Sequence, residues 1–275
     1  MIYMNRLWEY IILPIFKKIN PKYIIEIGSE NGINTENILE YCILNQSKLT
    51  SIDPLPLFDQ KKYKKKYGNH FEIINDLSLN CLGNLDNYDI ILIDGDHNWY
   101  TVYNELKIIE KKFDNDNFPT ILIHDVDWPY ARRDLYYNPD TIPKKYLHPY
   151  AKMGIYPGQN KLMKNSGLNK DLNNALYEKT PQNGVLTAIE DFLKETDLKL
   201  CFNVVHAFHG LGIITTEKNY SKIKEITKTD LSQYLEKKYL EEIIFFKDDI
   251  NKKIYELNKI REENETQQKE IWKSL

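Results

Sequence analysis

The chain has 275 residues, of which 42% are hydrophobic and 28% are charged, so it is long enough to bury a sizeable core. A formal net charge of -3 gives no overall attraction to nucleic acid, and the basic run at 60–70 is interpreted as a solvated face. The apolar segment at 7–16 is too short to cross a bilayer and lacks the features of a signal peptide, so we expect a cytoplasmic protein without a transmembrane segment. Three scattered cysteines predict neither disulfides nor a zinc ribbon.

Short apolar runs alternate with helical windows along the first half of the chain. The runs are rich in β-branched residues, which is typical of strands buried on both faces. They lie at 23–27, 48–53, 71–74, 88–94 and 119–125. Windows such as 34–45 and 99–113 repeat apolar residues at helical spacing. The alternation predicts a parallel, doubly wound α/β sheet, which binds ligands beyond the carboxyl ends of its strands.

The first predicted strand runs into the sequence Gly-Ser-Glu-Asn-Gly. Glycines at 28 and 32 give a tight turn that lets the backbone come close to a ligand. Their spacing differs from that of a dinucleotide fold, and Glu26 precedes the loop, which suits a cationic ligand better than a pyrophosphate. Asp53, after the second strand, can accept hydrogen bonds from two ribose hydroxyls of a nicotinamide or an adenosyl-sulfonium cofactor.

Each of the five predicted strands ends in, or is closely followed by, an acidic residue. These acids are Glu26, Asp53, Asp76, Asp94 and Asp125. Further along, residues 198–216 read as two strands joined by a short glycine-containing connection, which predicts an antiparallel hairpin. A sixth strand paired with a reversed seventh is not the nicotinamide arrangement.

Together, the glycine loop, the strand-end acids and the hairpin resemble the class I S-adenosylmethionine-dependent methyltransferases over roughly residues 20–216. The resemblance implies a Rossmann-like, seven-stranded sheet with an antiparallel last strand. It also implies that Glu26 faces the methionine part of the cofactor, that Asp53 holds the ribose and that Asp76 lies beside the adenine. The cofactor residues implied in this way are Glu26, Gly28, Ser29, Gly32, Asp53, Asp76, Leu77 and Ser78. Asp76 could instead cap the helix that follows it.

The stretches at 92–100 and 121–137 resemble the branch of metal-dependent O-methyltransferases that modify sugars, glycans and related hydroxylated products. In that branch the fourth and fifth strands supply acids to Mg²⁺, here Asp94 and Asp125, whose adjacent strand ends could reach one ion. Relatives often carry a second acid or amide beside the fifth-strand acid. Asp127 is our preferred third ligand here and His124 the alternative, and a metal-free site is the other possibility.

His97 lies three residues after Asp94, so both side chains could address one methyl acceptor. A sugar hydroxyl is a poor nucleophile at neutral pH, and an imidazole suits the removal of its proton. We therefore predict His97 and Asp94 as the catalytic residues. The alternative is that His97 only caps the helix that begins near Tyr100.

The long segment at 126–182 is rich in Pro, Tyr and Asn, and we predict a lid or substrate-binding insertion. Trp128 and Tyr130 could stack on sugar rings, and Arg132 and Arg133 could meet a phosphate or carboxylate. The alternative is that these aromatic residues pack the segment onto the domain.

The chain is predicted to divide into a methyltransferase domain at 1–217 and a helical, coiled-coil-like extension at 218–275. One heptad position of the extension holds Ile243, Ile250, Leu257, Asn264 and Ile271, and the other holds Leu240, Lys247, Ile254, Arg261 and Gln268. Such a helix could join a second copy, a partner or a further domain, or fold back on the domain. The last residues carry no capping signal, so we expect a fragment of a longer protein.

These features predict an S-adenosylmethionine-dependent O-methyltransferase that uses Mg²⁺ and methylates a hydroxyl of a sugar, glycan or nucleotide-sugar in polysaccharide or glycoconjugate biosynthesis. The alternatives are a noncatalytic assembly module of a glycan-synthesis complex that keeps the fold and, third, a dinucleotide oxidoreductase. The sequence does not name the acceptor or the hydroxyl.

Overall fold

The computed structural model describes residues 4–228 and 231–274. These residues divide into two compact units, one ending at Lys228 and the other beginning beyond it. The helix at Glu217–Thr227, which the sequence assigned to the extension, belongs to the first unit.

A seven-stranded sheet forms the centre of the first unit. Its strands are β1 (Tyr23–Ile27), β2 (Lys48–Ile52), β3 (Phe71–Ile74), β4 (Ile90–Ile93), β5 (Thr120–His124), β9 (Leu200–Val205) and β10 (Leu211–Thr216). A second, smaller sheet is formed by β6 (Leu135–Tyr136), β7 (Tyr150–Lys152) and β8 (Asn173–Ala175). The order in the large sheet is β3-β2-β1-β4-β5-β10-β9. The first five strands are parallel, and β10 runs antiparallel to both of its neighbours. The predicted doubly wound sheet with a terminal hairpin is thus confirmed.

Helices cover the sheet. They are α1 (Leu13–Ile19), α2 (Ile33–Asn45), α3 (Gln60–Tyr67), α4 (Ser78–Cys81), α5 (Trp99–Glu110), α6 (Val185–Glu195) and α7 (Glu217–Thr227). The second unit contains α8 (Ser232–Ser274). Every residue of β4 and β5 is buried, because helices pack on both faces. Val102, Leu106 and Phe192 of α5 and α6 join Ile91 and Ile121 in one hydrophobic core.

Between β5 and α6, the predicted insertion folds into a small antiparallel sheet in the order β6-β8-β7. It has hydrophobic clusters of its own, one around Leu135 and Ile155 and another around Tyr136 and Ala175. Tyr146 of the segment stacks on Tyr100 of α5, a contact of the kind expected if the aromatic residues pack the segment onto the domain.

Helix α8 spans 43 residues, in agreement with the predicted C-terminal helix. Leu240, Ile250, Ile254 and Leu257 are exposed apolar residues on it. The side chains of Ile243, Ile271 and Gln268, which the heptad prediction also uses, lie outside the described residues. Among the helices that the structure describes, none combines the length and the apolar character needed to cross a membrane.

Candidate functional site

The predicted strand-end acids meet at one edge of the sheet. Strands β2, β1, β4 and β5 are successive neighbours, and their carboxyl ends point the same way. Glu26 lies in β1, whereas Asp53, Asp94 and Asp125 directly follow β2, β4 and β5. The ladder continues past the strands, since the Asp94 amide donates to the Ile27 carbonyl at 2.9 Å. Parallel topology alone brings these side chains together.

The glycine loop needs glycine at both predicted positions. Gly28 has a φ of +85°, and a Cβ there would lie 2.4 Å from the Asp94 carbonyl oxygen. Gly32 has a φ of +81°, and a Cβ there would lie 2.8 Å from the Tyr63 hydroxyl oxygen and 2.9 Å from the Phe58 ring. The loop therefore packs tightly between the β4–α5 connection and the segment after β2, and any side chain would force these elements apart.

Glu26 is almost fully buried and its carboxylate is shared among side chains. Oε1 accepts from Asn34 Nδ2 at 2.8 Å, and Oε2 accepts from the Thr35 hydroxyl at 2.6 Å. Burial raises the pKa of Glu26 to about 7, although these hydrogen bonds oppose the shift. Glu26 therefore links β1 to the start of α2, next to the glycine loop.

Asp53 holds the glycine loop from the other side. Its Oδ2 accepts from the backbone amides of Ser29 at 2.8 Å and Glu30 at 2.9 Å, and from the Ser29 hydroxyl at 3.1 Å. Among the described residues, the one donor to its Oδ1 is the Leu55 amide, at 2.8 Å. A carboxylate oxygen can accept two hydrogen bonds, so Oδ1 keeps capacity for a ligand hydroxyl.

The residues predicted beside the adenine form a short turn after β3. Asp76 Oδ1 accepts from the Leu77 amide and from Asn80 Nδ2, each at 2.7 Å. These bonds stabilise the start of α4, as the capping alternative proposed, although Leu77 occupies the N-cap position itself. Ser78 is buried and points away from Asp76, toward α5.

Ser78 contacts Glu105, an acid that the sequence reading missed. The Ser78 hydroxyl donates to Glu105 Oε1 at 2.5 Å, and Glu105 Oε2 is buried without a hydrogen-bond partner among the described residues. Burial raises the pKa of Glu105 to about 8. Its position between Asn104 and Leu106, on the apolar face of the 99–113 window, was the available signal.

Two carboxylates and two imidazoles form a compact group at the ends of β4 and β5, which we call the acid–histidine cluster. It consists of Asp94, Asp125, His97 and His124. His124 Nδ1 lies 3.0 Å from Asp94 Oδ1 and 3.2 Å from Asp125 Oδ2. His97 Nε2 lies 3.4 Å and 3.1 Å from the same two oxygens. One ligand atom each from Asp94, Asp125 and His124 falls within 4.8 Å of the others, a grouping that could hold a metal ion.

The charges in the cluster shift its pKa values in opposite directions. Burial alone would raise the pKa of Asp94, but the charges and hydrogen bonds of His124 and His97 outweigh it and lower that pKa. Burial alone would lower the pKa of His97, but Asp125 and Asp94 raise it instead. The cluster thus favours ionised acids, and the raised pKa makes the His97 imidazole a stronger base.

Two tyrosines of the insertion contact the His97 ring. The ring stacks on Tyr130 with a centroid separation of 5.5 Å, and its Nδ1 lies 3.4 Å from the Tyr137 hydroxyl. Helix α5 is capped by Asn98, whose side chain accepts from the Thr101 amide. The capping alternative for His97 is therefore wrong, because the residue after it takes that position.

Asp127, the preferred third metal ligand, lies apart from the cluster. Its carboxylate pairs with His206 Nδ1 at 3.0 Å, on the turn between β9 and β10. The alternative ligand His124 joins Asp94 and Asp125 instead. The reason is geometric, since His124 is the last residue of β5 whereas Asp127 has already turned away beside Gly210.

The four predicted substrate residues have different surroundings. Trp128 is partly exposed and stacks on His209, while Tyr130 is buried and donates its hydroxyl proton to Asn174. Arg132 forms a two-point ion pair with Glu190.

Arg133 is fully buried. Its guanidinium donates to the carbonyls of Ala175 and Asn160 and to Glu178. An acceptor phosphate or carboxylate therefore cannot reach Arg133 in this structure, and that prediction is corrected: the residue holds the insertion together.

A family model described as a methyltransferase domain matches residues 25–126. That range runs from β1 to just past β5 and includes the glycine loop, Asp53 and the acid–histidine cluster. Residues 25–126 are thus similar to a methyltransferase domain. The resemblance to S-adenosylmethionine-dependent methyltransferases stated from the sequence is confirmed by this match together with the strand order. No curated protein matched the chain.

Comparison with solved structures finds similarity at low identity. The S-adenosylhomocysteine-bound methyltransferase PaMTH1 of Podospora anserina is 19% identical, covers 74% of this chain and 76% of its own, and has a TM-score of 0.45. A Staphylococcus aureus protein assigned provisionally as a caffeoyl-CoA O-methyltransferase is 14% identical, with coverages of 78% and 84% and a TM-score of 0.44. The 1,6-didemethyltoxoflavin-N1-methyltransferase of Burkholderia thailandensis is 12% identical, with coverages of 78% and 82% and a TM-score of 0.38.

Proposed function

We propose that the chain is an S-adenosylmethionine-dependent O-methyltransferase whose acceptor is a hydroxyl of a sugar, glycan or nucleotide-sugar. The observation that carries the proposal is the acid–histidine cluster beside the glycine loop, where Gly28 packs directly on Asp94. A base and the methyl donor can then act on the same hydroxyl.

The cofactor site rests on the glycine loop and Asp53. The loop brings backbone within reach of a ligand, and Asp53 Oδ1 has capacity left for a ribose hydroxyl. S-adenosylmethionine supplies an electrophilic methyl group when bound. Ser29 and Glu30 keep the loop and Asp53 in one rigid unit, so the cofactor would meet a preformed surface.

His97 is the proposed general base. Its Nε2 faces Asp125 Oδ2, which orients the ring in the way that the acid of a catalytic triad orients its histidine. No carboxylate holds Nδ1, whose one hydrogen-bond contact among the described residues is the Tyr137 hydroxyl. We assign to Nδ1 the acceptance of the proton from the acceptor hydroxyl. Tyr130, stacked on the ring, would keep the imidazole in place as the proton moves.

The proposed acceptor class is supported by the aromatic residues around the cluster. Trp128 and Tyr137 are both partly exposed, and Tyr137 lies against His97. Such rings bury the apolar faces of sugars while leaving their hydroxyls free. A divalent cation at Asp94 and Asp125 would lower the pKa of a bound hydroxyl and assist the same step; the sequence predicted Mg²⁺ in this place. The cytoplasmic location stays a prediction.

A second candidate function is a noncatalytic assembly module. Helix α8 exposes Leu240, Ile250, Ile254 and Leu257 to solvent, which would suit a coiled-coil contact with another copy or a further protein.

Mass spectrometry distinguishes the two functions. The full chain is incubated with S-adenosylmethionine, a mixture of divalent cations and a panel of nucleotide-sugars and oligosaccharides. We expect a product one methyl group heavier and an equal amount of S-adenosylhomocysteine, both formed about 10²- to 10⁴-fold more slowly by the His97→Gln variant. Cofactor binding without any methylated product across the panel would favour the assembly module.

A further inference from the structure

The candidate metal centre contains a nitrogen donor. Among the residues that the structure describes, the atoms able to share one ion there are carboxylate oxygens of Asp94 and Asp125 and a ring nitrogen of His124. The fold does not bring together the predicted ligand set of three carboxylates, because Asp127 is paired with His206.

The orientation of His124 is fixed by its second nitrogen. Nε2 lies 2.7 Å from the Phe208 carbonyl oxygen, and a carbonyl can only accept, so Nε2 carries a hydrogen. In a neutral imidazole the lone pair is then on Nδ1, which faces Asp94 Oδ1 and Asp125 Oδ2. A lone pair cannot face two carboxylates unaided, so a positive species, either a proton or a metal ion, must lie among the three atoms.

The separations between these atoms suit a shared ion. Adjacent donors on an ion with bonds of about 2.1 Å lie about 3.0 Å apart in six-coordinate geometry and about 3.4 Å apart in tetrahedral geometry. The observed separations from His124 Nδ1 are 3.0 Å to Asp94 Oδ1 and 3.2 Å to Asp125 Oδ2.

The contact of His124 Nε2 with a backbone carbonyl is also typical of a metal-binding histidine. Such residues commonly donate their other N–H to a backbone carbonyl, which fixes the ring and the tautomer. Phe208, which supplies the carbonyl, is buried and has a φ of +48° in the turn between β9 and β10. His97 Nε2 lies 3.4 Å and 3.1 Å from the same two carboxylate oxygens.

The donor set does not suit Mg²⁺. Magnesium prefers oxygen ligands and near-ideal octahedral geometry, whereas imidazole nitrogen suits Fe²⁺, Ni²⁺, Cu²⁺ and Zn²⁺. We infer that the site binds a divalent first-row transition ion, with His124 Nδ1, Asp94 and Asp125 as ligands. The inference concerns the ion at the site of the proposed function, but it can be tested without measuring methyl transfer.

Cobalt is a suitable probe, because Co²⁺ takes the same ligands and is visible by absorption and paramagnetic by NMR. The full-length protein is stripped with a chelator and titrated with Co²⁺ alone. We expect saturable binding at one site and a strongly shifted, solvent-exchangeable proton signal from the N–H of His124. A large excess of Mg²⁺ should not displace the ion.

Substitutions identify the nitrogen. His124→Asp restores an all-oxygen set, so the exchangeable signal should vanish and the preference for Co²⁺ over Mg²⁺ should fall by about tenfold or more. His148→Asn is the matched control, since His148 lies in the insertion and contacts the Gln182 carbonyl. Its signal and preference should equal those of the wild type. His97→Gln should keep the signal, because His97 supplies none of the three ligand atoms.

Three results would overturn the inference: no saturable Co²⁺ binding, displacement of Co²⁺ by equimolar Mg²⁺, or an exchangeable signal that survives His124→Asp. The first would mean that a proton occupies the position between His124 and the acids. Binding of S-adenosylhomocysteine to the stripped protein, measured in parallel, shows whether the methyltransferase proposal holds independently of the ion.

Discussion

Polar residues at the carboxyl edge of the sheet, here called the rim, and polar residues of the insertion between β5 and α6 are placed by different means. At the rim, Glu26, Asp53, Asp94 and Asp125 come together because adjacent parallel strands end at one edge. In the insertion, side chains such as Arg133 are placed by individual hydrogen bonds to backbone carbonyls. The rim therefore presents side chains to a ligand, whereas many polar side chains of the insertion form hydrogen bonds that hold its own short strands together.

An arginine in the insertion and a histidine at the rim have different roles despite similar burial. Arg133 and His97 are both nearly inaccessible. Loss of the first should affect folding, and loss of the second should affect chemistry. The following substitutions test that division.

His97→Gln should have the largest effect, because it removes the imidazole that accepts the proton. We expect turnover to fall by about 10²- to 10⁴-fold, the range for a positioned base. Calorimetric binding of S-adenosylhomocysteine should stay at the wild-type level, with His148→Asn as the control. Normal turnover in the folded variant would remove His97 from the mechanism.

Arg133→Met should destabilise the insertion. The change leaves Glu178 and two carbonyls without their donor, and breaking such a buried pair costs about 3–5 kcal/mol in the free energy of unfolding. Arg132→Met is the matched control, because its partly exposed pair with Glu190 is worth about 1 kcal/mol or less. Urea denaturation measures both. Equal losses for the two variants would contradict a structural role specific to Arg133.

Glu105→Gln should change how stability depends on pH. Burial raises the pKa of Glu105 from 4.5 to about 8, so the folded protein keeps a proton that the unfolded chain releases. Stability contributed by this group is therefore present below pH 4.5 and is lost as the pH rises to about 8, on the order of 5 kcal/mol in all. Thermal melts at pH 5 and pH 8 should show a smaller difference for Glu105→Gln than for the wild type. The exposed Glu72→Gln variant should match the wild type at both values.

Asp53→Asn should weaken cofactor binding more than it lowers the free energy of unfolding. It removes the charge that serves both the glycine loop and the proposed ribose contact, at roughly 1.5–3 kcal/mol for a hydrogen bond to a charged group. Calorimetry with S-adenosylhomocysteine gives the affinity. An unchanged affinity in the folded variant would place the ribose elsewhere.

The rim could be predicted from the sequence because its determinants are periodic and local. Strands such as 90–93 are apolar throughout, and Asp94 and Asp125 follow directly from where such strands end. The third metal-site residue could not be chosen in that way. His124 and Asp127 are separated by two residues, and only the turn at Asp125, with a φ of +61°, decides which of them faces Asp94.

Contacts between distant segments left no periodic signal. Tyr137 reaches His97 from the insertion, and Phe208 reaches His124 from the β9–β10 turn. Glu105 is a single acid on an otherwise apolar helix face, and its partner Ser78 lies 27 residues away. Each of these pairs depends on how the elements pack, which the order of residues along one element does not encode.

Calorimetric titration of the wild-type protein with S-adenosylhomocysteine, with Asp53→Ala as the comparison, tests the proposed cofactor site. We predict one site with a dissociation constant in the micromolar range, about -8 kcal/mol, and much weaker binding for the variant. Absence of any binding heat in the folded wild-type protein, at several temperatures, would mean that the glycine loop and Asp53 do not form the cofactor site of a methyltransferase.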